Sequence, residues 1–449
     1  MASPILHIKD AYFFEVPKIL WPSHRHAETD FPEVWIRLDP DFQEWEAFRL
    51  YEELAKPRQG ERAERIDATP AWSDLQASYL AWKARPANFG KPLSGMLEEA
   101  YASARKDYES AKKAGKVSDK EPFLAWLDNK PPEQAWFIRQ MSDPGFQVAW
   151  KTLNRDAGNV SEYLEATKSN PWPGEKITGY NRALSGKMLI PQPFGKLRNL
   201  HEPESGLCIS KFMIVEVVVA LLLLTVFSWL GKKAAAGGAP RGRLWNLLEI
   251  FLVYLRDKVA RPAIGEHDGD RFVPVLWTIF MFILCCNLCG LLPWVGAPTS
   301  SFGVTTGLAA VTFLTGVACG VKKFGPLGYL ANQVPAMQLP WLLALVIKPM
   351  LFVIELMGLC IKHAVLAVRL VANMAAGHLV LVGIMGLAFG AAAALSFASL
   401  PTWQWGVTAA VTVVASTLLS CLELFVAFLQ AYVFTFLSAL FIGAAIHHH

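Results

Sequence analysis

The chain has 449 residues, of which 53% are hydrophobic and 18% are charged, a lower charged fraction than the roughly 25% of soluble globular domains. This composition excludes a collagen, a disordered tail and a small disulfide-stapled domain. Residues 211–449 contain 14 Lys and Arg and 8 Asp and Glu, and residues 1–210 contain the other 28 and 30. The sequence therefore predicts a polar half and an apolar half. The net charge of +4 is the sum over these two different halves, so it does not indicate nucleic-acid binding.

The polar half is predicted to be a soluble, mainly helical region. An N-terminal preamble at 1–40 is followed by residues 41–205, where helix-like stretches alternate with breaks marked by Pro and Gly. These stretches are 41–56, 72–84, 94–114, 121–128 and 132–140.

Nine tryptophans lie in this polar half: Trp21, Trp35, Trp45, Trp72, Trp82, Trp126, Trp136, Trp150 and Trp172. Rings of this size can build a small helical core, which argues against plain disorder. They could equally serve as docking points on a partner or on the membrane surface. The residues around them show no metal-ligand spacing, phosphate-binding loop or nucleophile motif.

Five apolar segments within residues 206–449 are long enough to cross about 30 Å of hydrocarbon. They are 212–230, 272–292, 302–321, 339–395 and 403–444. The last two exceed a simple span, which predicts long helices that tilt strongly or consist of segments, broken at Leu400-Pro401. Residues 244–261 have an apolar stripe with charges on the other faces, the pattern of a helix at the membrane interface. The predicted fold class is thus an all-α membrane protein, a multi-span helical bundle with a soluble helical N-terminal region.

Basic residues in the short connections predict the orientation. The connection 231–271 carries eight Lys and Arg, 293–301 carries none, and Lys322-Lys323 follow the third span. Basic connections favour the cytoplasmic side, so we expect the N-terminal region outside and the C-terminus in the cytoplasm. The first residues lack a basic stretch followed by an apolar run, and no cleavable signal peptide is predicted.

The thiols and the terminal histidines give no functional signal. Cys286-x-x-Cys289 has the spacing of half a metal or redox site, but no second pair or His cluster accompanies it. Apolar packing is the better interpretation of these thiols, and we predict no metal site. His447–His449 are assigned no role.

Charges inside the last two spans are the main functional signal, because a charge at membrane depth is costly. Within 339–446 the charged residues are Lys348, Glu355, Lys362, Arg369 and Glu423. Arg369 lies deepest and has no acid within four residues on its own helix. Its guanidinium does not deprotonate, so another element must supply the counter-charge.

Polar residues accompany Arg369 at helical spacing. Asn373 follows at i+4, and Glu355 precedes by 14 residues, close to four full turns, so these residues lie near one face. On the last helix Glu423 and Gln430 are seven apart and also lie near one face. Together they predict a polar seam, which is typical of a proton or ion path.

The stretches Arg369-Leu-Val-Ala-Asn373-Met-Ala-Ala-Gly377-His378 and Glu423-Leu-Phe-Val-Ala-Phe-Leu-Gln430 resemble the signature helices of the a subunit of F-type ATP synthases. This subunit is the membrane stator beside the rotating c-ring. The resemblance covers about residues 205–446 and includes Asn287-Leu-Cys-Gly290-Leu-Leu-Pro293. It implies a proton-conducting stator with two half-channels, through which ion flux drives rotation and ATP synthesis. It implies no cofactor and no catalytic site for ATP in this chain.

The resemblance also implies roles for single residues. Arg369 would face the c-ring carboxylate and separate the half-channels, with Asn373 and Gln430 as its polar companions. His378 and Glu423 match a pair on the side where protons enter.

Three further positions belong to the implied access channels. Glu355 matches an acid usually assigned to the cytoplasmic half-channel. Asn287 and His363 are candidate lining residues. The sequence departs from the family at His363, where many members have Pro, and at Gly290, where some bacterial members have Asp.

The implied partners are the c-ring, the b subunits of the peripheral stalk and the lipid of a bacterial-type inner membrane. Most members have only a few tens of residues before the first span. Residues 41–205 are therefore interpreted as a helical insertion, and the sequence gives no function for it.

Two other functions compete with this interpretation. A stand-alone secondary transporter could use Arg369 as the counter-charge of an anion, but it should show inverted internal repeats, and we find none. A membrane-anchored external binding domain would place the function in the polar half, where no convergent polar motif is found.

Simpler interpretations also exist for single residues. His378 and Glu423 could form a packing pair that does not titrate. Glu355 could pair with Lys362 at i+7, and Asn287 could satisfy backbone groups freed near the following proline.

Overall fold

Most of the chain is helical. The computed structural model describes residues 10–56, 70–85, 88, 90–114, 122–127, 132–235, 242–292, 295–332, 341–394 and 402–446. The predicted break at Leu400-Pro401 and the terminal His447–His449 lie outside these residues. The chain forms two compact units, one of Met1–Val16, Met188–Pro191 and Ile209–His449, and a second of Pro17–Lys187 and Gln192–Cys208.

The second unit consists of short helices and one hairpin. Its helices are α1 (Glu33–Ile36), α2 (Pro40–Ala55), α3 (Trp72–Lys83), α4 (Leu93–Lys113), α5 (Phe123–Trp126), α6 (Pro132–Met141), α7 (Pro144–Ala157), α8 (Val160–Ala166) and α9 (Gly174–Leu184), with a 3₁₀ turn at Glu28–Asp30. Two strands, β3 (Gly195–Asn199) and β4 (Glu202–Gly206), pair antiparallel with irregular register.

Side-chain caps and prolines explain where several of these helices begin. The Asp39 carboxylate accepts a hydrogen bond from the Asp41 backbone N–H (2.7 Å) at the start of α2. Asp143 caps α7 in the same way, and each helix has Pro in its first turn. Proline is favoured there because its missing N–H has no intrahelical partner in any case.

The tryptophans form the core of the second unit. Trp82, Trp136 and Trp150 are buried in one cluster around α2, α3, α4, α6 and α7, and the rings of Phe137 and Trp150 meet edge to face at 4.8 Å. Trp35 and Trp172 are also buried. The predicted aromatic core is therefore present, but Trp21 is not part of it and lies exposed.

A buried ion pair fixes the hairpin to the helices of this unit. The Arg198 guanidinium on β3 donates to both carboxylate oxygens of Glu46 on α2, at 2.6 and 2.5 Å. Arg37 pairs with Glu204 on β4. Removing one member of a buried pair leaves an uncompensated charge, so these contacts hold the hairpin in one position.

The first unit begins with two strands that lead to the first long helix. Strand β1 (Phe13–Glu15) pairs with β2 (Lys187–Leu189), and helix α10 spans Lys211–Ala235. The Lys211 N–H donates to the Ala11 carbonyl (2.8 Å), and the Asp10 carboxylate accepts from the Phe212 N–H (3.3 Å). The preamble therefore satisfies free N–H groups at the start of α10.

The remaining helices of the first unit are α11 (Arg243–Leu255), α12 (Arg261–Ile264), α13 (Glu266–Gly290), α14 (Phe302–Phe324), α15 (Pro326–Asn332), α16 (Trp341–Ala394) and α17 (Thr402–Ile446). A π-helical turn, Arg256–Ala260, joins α11 to α12 within the amphipathic region predicted at 244–261. Pro262 follows this turn and has no N–H for the carbonyl of Lys258. The π turn lies beside the position where this intrahelical hydrogen bond to Lys258 is missing.

Among the described residues, five helices are apolar and long enough to cross a membrane, which confirms the predicted all-α, multi-span fold class. They are Lys211–Ala235, Glu266–Gly290, Phe302–Phe324, Ile347–Leu381 and Ala410–Ile446. The last two have 35 and 37 residues. At about 1.5 Å per residue each exceeds the roughly 30 Å of hydrocarbon, a mismatch that tilting, kinking or local thickening of the bilayer accommodates.

Helix α13 lies at the centre of this bundle and positions the two long helices. Leu276 and Ile283 are fully buried on α13, in one cluster with Leu366 of α16 and Ile442 of α17. The close approach of α12 to α17 depends on Gly443 of α17, where an added Cβ would overlap the Ala263 carbonyl oxygen of α12. The packed core therefore fixes α16 and α17 against each other at the positions that carry the polar residues.

Candidate functional site

Arg369 lies in the middle of α16 between a buried face and an exposed one. Leu366 and Leu370 on its two sides are buried in the bundle, whereas Val365 and Val368 are exposed. Arg369 itself is half-buried. Among the described residues it makes no ion pair or hydrogen bond, so its charge has no partner within this part of the chain.

The exposed face of α16 beside Arg369 is apolar and narrow. Val365, Val368, Ala372, Ala376 and Leu379 all lie exposed along it. Alanine at two of these positions lets another helix approach the backbone closely. The face can therefore receive a helix of another subunit and bring it within reach of Arg369.

The polar companions of Arg369 occupy different environments. Asn373 is half-buried on α16, one turn after Arg369, and Gln430 is buried on α17 between Ala427 and Ala431. Within the described residues, neither amide side chain forms a hydrogen bond to the other or to Arg369. Of the three polar groups, Arg369 and Asn373 are thus partly accessible, whereas Gln430 is buried.

Glu423 of α17 packs directly onto α16 at Gly377. A Cβ added at Gly377 would lie 2.9 Å from Glu423 Oε1 and 3.3 Å from its Cγ. Glu423 thus packs against α16 at the residue before His378, and the pairing of His378 with Glu423 stays a prediction. No hydrogen bond joins the two side chains directly in the described part of the chain, and Glu423 Oε1 is buried without a partner there.

Glu355 lies on the other side of Arg369 along α16. Its carboxylate is 3.4 Å from Lys362 Nζ, and both side chains are about half exposed. The i+7 pair anticipated as the simpler interpretation is therefore formed. An exposed pair of this kind contributes little to stability and leaves the Glu355 carboxylate accessible.

Comparison with known proteins gives a consistent result. The family model described as ATP synthase A chain matches residues 213–443. The ATP synthase subunit a of Myxococcus xanthus is 39% identical over 247 residues, 54% of this chain and 75% of that protein. The subunit a of Chloroherpeton thalassium is 35% identical over 281 residues, 61% of this chain and 78% of that protein. The ATP synthase subunit a 2 of Chlorobaculum tepidum is 35% identical over 289 residues, 63% of this chain and 76% of that protein.

The chain belongs to the ATP synthase A chain family. It is accordingly a multi-pass membrane protein, and its role is that of the proton-conducting stator subunit of the membrane sector of an ATP synthase. Family membership implies a complex with a c-ring and further subunits.

In this ATP synthase subunit, Asn287 joins three elements. Its side-chain N–H donates to the Ala427 carbonyl of α17 (3.1 Å), and its side-chain oxygen accepts from the Thr299 hydroxyl (2.7 Å). Asn287 and Thr299 are both fully buried. The amide thus satisfies a backbone carbonyl of α17, and its place in a channel lining stays a prediction. The sequence pattern gave no indication of Thr299, since a lone Thr after Pro carries no periodic signal.

His363 is buried among aromatic rings. Its ring lies 5.2 Å from Phe313 of α14 and 4.7 Å from Phe441 of α17, measured between centroids. Nδ1 is 2.9 Å from the Leu359 carbonyl oxygen, one turn earlier on α16. Nε2 is buried without a partner among the described residues. A water would have to serve it, and the assignment of His363 to a channel lining stays a prediction.

Gly290 is required where α13 ends beside α16. A Cβ there would lie 2.5 Å from that of Ala297 and 3.1 Å from the Met374 methyl carbon. A side chain at this position would therefore require these elements to separate more widely.

Loss of the Asn287 amide is expected to destabilise the subunit. Asn287→Leu leaves the Thr299 hydroxyl buried and unpaired, at a cost of about 1–3 kcal/mol. Equilibrium unfolding of the detergent-solubilised chain, followed by tryptophan fluorescence, measures this cost. Thr315→Val is the matched control, because Thr315 is exposed and bonds only to Val311 of its own helix. If the Asn287→Leu and Thr299→Val effects add fully in the double variant, the bond contributes nothing.

Proposed function

We propose that this subunit offers two offset half-channels to the c-ring, separated by Arg369. The observation that carries the proposal is the position of Arg369, half-buried beside an uncovered apolar face and without a counter-charge in the described chain. A fixed cation at that depth requires an anion from elsewhere. The ionised carboxylate of a c-ring helix on this face is that anion.

The proposed access side of the path contains His378 and Glu423. Position 378 lies nine residues after Arg369, about 14 Å along the helix axis. The contact between Glu423 and Gly377 supports a shared site, since both side chains come from different helices to one level of the bundle. A proton would pass here to a c-ring carboxylate, which becomes neutral and can turn into lipid.

The proposed release side contains Glu355. It precedes Arg369 by 14 residues, about 21 Å along α16 in the opposite direction. Its half-exposed carboxylate can accept a proton from the c-ring after nearly a full rotation. The Lys362 ammonium lies 3.4 Å from this carboxylate and is its only ion-pair partner among the described residues.

Arg369 would prevent a direct proton leak between the two sides. A guanidinium does not deprotonate at working pH, and a fixed positive charge repels protons from the space between the half-channels. Protons then cross the membrane only while they are bound to the carboxylates of the rotating c-ring. Each charge that crosses contributes about 2.3 kcal/mol per 100 mV, which is the energy available for rotation.

The assembly and orientation belong to the same proposal. The c-ring would lie against the exposed face of α16, and the b subunits of a peripheral stalk would hold the a subunit in a bacterial-type inner membrane. From the distribution of basic connections we infer an external N-terminal region and a cytoplasmic C-terminus. We also infer that residues 41–205 are an insertion between the preamble at 1–40 and the membrane part at 206–449, with Asn287 and His363 near the access channel.

An exchange of the paired residues tests the path. The double variant His378→Glu with Glu423→His should retain more proton flux than either single alanine variant, because it keeps both titratable groups at one site. Proton uptake into inverted vesicles under ATP hydrolysis measures the flux. Normal conduction by both single alanine variants would instead make the pair a packing contact.

Co-purification tests the partners. Solubilised in mild detergent and captured through this chain, the complex should contain a c-ring and a peripheral stalk. Recovery of the chain alone from membranes that contain both would instead support a stand-alone transporter.

A further inference from the structure

The exposed apolar side chains of the second unit have an uneven distribution. Among its described residues, the large apolar side chains with more than three-fifths of their surface exposed are Ile19 (92%), Leu20 (72%), Val148 (77%), Phe194 (71%) and Leu207 (64%). All but Val148 lie within four residues of a point where the chain passes between the two units. Scattered exposed apolar residues need no explanation, whereas residues that group along the chain at these junctions require one.

The first group is a turn that other residues hold in place. Its backbone closes with a hydrogen bond from the Leu20 N–H to the Pro17 carbonyl (2.9 Å), and the Trp21 carbonyl accepts from the Gly186 N–H (2.9 Å). Lys18, Ile19, Leu20 and Trp21 are all exposed. The turn is therefore preorganised, and it directs three adjacent large apolar side chains outward.

Two further residues pin the chain directly after this turn. The Ser23 hydroxyl donates to Asn181 Oδ1 (2.8 Å), and the Ser23 N–H donates to the Ser185 hydroxyl (3.0 Å). These bonds fix the turn to the end of α9. Because these hydrogen bonds hold it in place, the exposed apolar turn is an ordered part of the second unit.

The second group lies at the open end of the β3–β4 hairpin. The Leu207 N–H donates to the Phe194 carbonyl (3.1 Å), so these two residues extend the hairpin by one pair. Leu207 is four residues from Lys211, the first residue of α10, a distance of at most about 14 Å for extended chain. The connecting chain therefore limits how far Leu207 and its partner Phe194 can lie from the first residue of α10.

The chain also limits the distance between the turn and that point. The Lys211 N–H donates to the Ala11 carbonyl, which fixes residue 11 at the start of α10. Ile19 is eight residues after Ala11, a reach of at most about 28 Å. The chain length thus allows both apolar groups to reach the membrane surface that α10 enters.

We propose that Ile19, Leu20, Trp21, Phe194 and Leu207 form a membrane-surface anchor, which inserts into the lipid interface of the leaflet that α10 enters at Lys211. The residue types fit this partner, because Trp is favoured at the headgroup level and Leu, Ile and Phe reach the acyl chains below it. Lys18 beside the turn suits the phosphates of anionic lipid. The anchor would hold the second unit on the bilayer, separately from the proton path.

Depth-dependent quenching in vesicles tests the anchor. The full-length chain is reconstituted into vesicles of phosphatidylcholine and phosphatidylglycerol, with a fluorescent unnatural amino acid at Ile19, and in separate preparations at Phe194 or Val148. Lipids brominated near the headgroup end of the acyl chain should quench the labels at 19 and 194 several-fold more than the label at 148. Equal quenching at the three positions would overturn the proposal.

Photo-cross-linking identifies any other occupant. A benzophenone amino acid at Ile19, in the complete complex in native membranes, should give adducts with phospholipid. Adducts with a polypeptide instead would assign the surface to a protein partner and refute the lipid anchor. Neither readout depends on proton conduction, so failure of the anchor and failure of the proposed half-channels are distinguishable. The second labelled position, Phe194, keeps the test valid if a probe at Ile19 disturbs folding.

Discussion

Replacement of Arg369 by alanine is expected to abolish proton-driven ATP synthesis while the complex still assembles. The variant removes the cation that holds the ionised c-ring carboxylate, and removing one member of a buried charge pair costs about 3–5 kcal/mol. Because each 1.36 kcal/mol is a factor of ten in rate, we expect synthesis to fall at least about a hundredfold. Assembly should survive, since Arg369 makes no ion pair or hydrogen bond within the described chain.

Lys348→Ala is the matched control for this prediction. Lys348 is an exposed cation on the same helix, 21 residues before Arg369, and it should be replaceable with little change in rate. ATP synthesis by reconstituted vesicles under an imposed proton gradient gives the rates, and subunit stoichiometry in the purified complex gives the assembly. Full coupled synthesis by assembled Arg369→Ala complexes would refute the proposed role.

The sequence predicted local structure well wherever a helix has clear boundary signals. The stretches at 72–84 and 94–114 correspond to Trp72–Lys83 and Leu93–Lys113, because an apolar stripe and a flanking proline or turn define each one. The β3–β4 hairpin was not predicted. Its strands have five residues each, their register is irregular, and the turn residues show no Asn-Gly or Asp-Gly signal.

The candidate site was predictable along each helix but not between helices. Helical period alone placed Arg369, Asn373 and Glu355 near one face. The contact of Glu423 with Gly377 depends on how α16 and α17 pack, 46 residues apart in the chain. Small residues such as Gly377 are typical of positions where two helices approach closely, but they do not indicate which residue of the other helix fills the space.

The contact between Glu423 and Gly377 predicts the second large effect, a loss of proton flux in the Gly377→Val variant. A Cβ at this position would lie 2.9 Å from Glu423 Oε1, and valine adds two methyl groups beyond it. The Glu423 carboxylate must therefore move away from its present position against α16. A displacement of about 1 Å in a reacting group can cost about a hundredfold in rate, so we expect proton flux to fall to the level of Glu423→Ala.

Gly383→Val on the same helix is the control, because a Cβ at Gly383 meets nothing within 4 Å. It carries the same helix-propensity cost for a β-branched residue, so only the displacement of Glu423 distinguishes the two variants. Proton uptake into inverted vesicles compares them. Shortening the acid in Gly377→Val with Glu423→Asp should restore part of the flux, a coupling that a purely structural defect in α16 would not produce. Equal flux in the Gly377→Val and Gly383→Val variants would mean that the position of Glu423 against α16 does not matter for conduction.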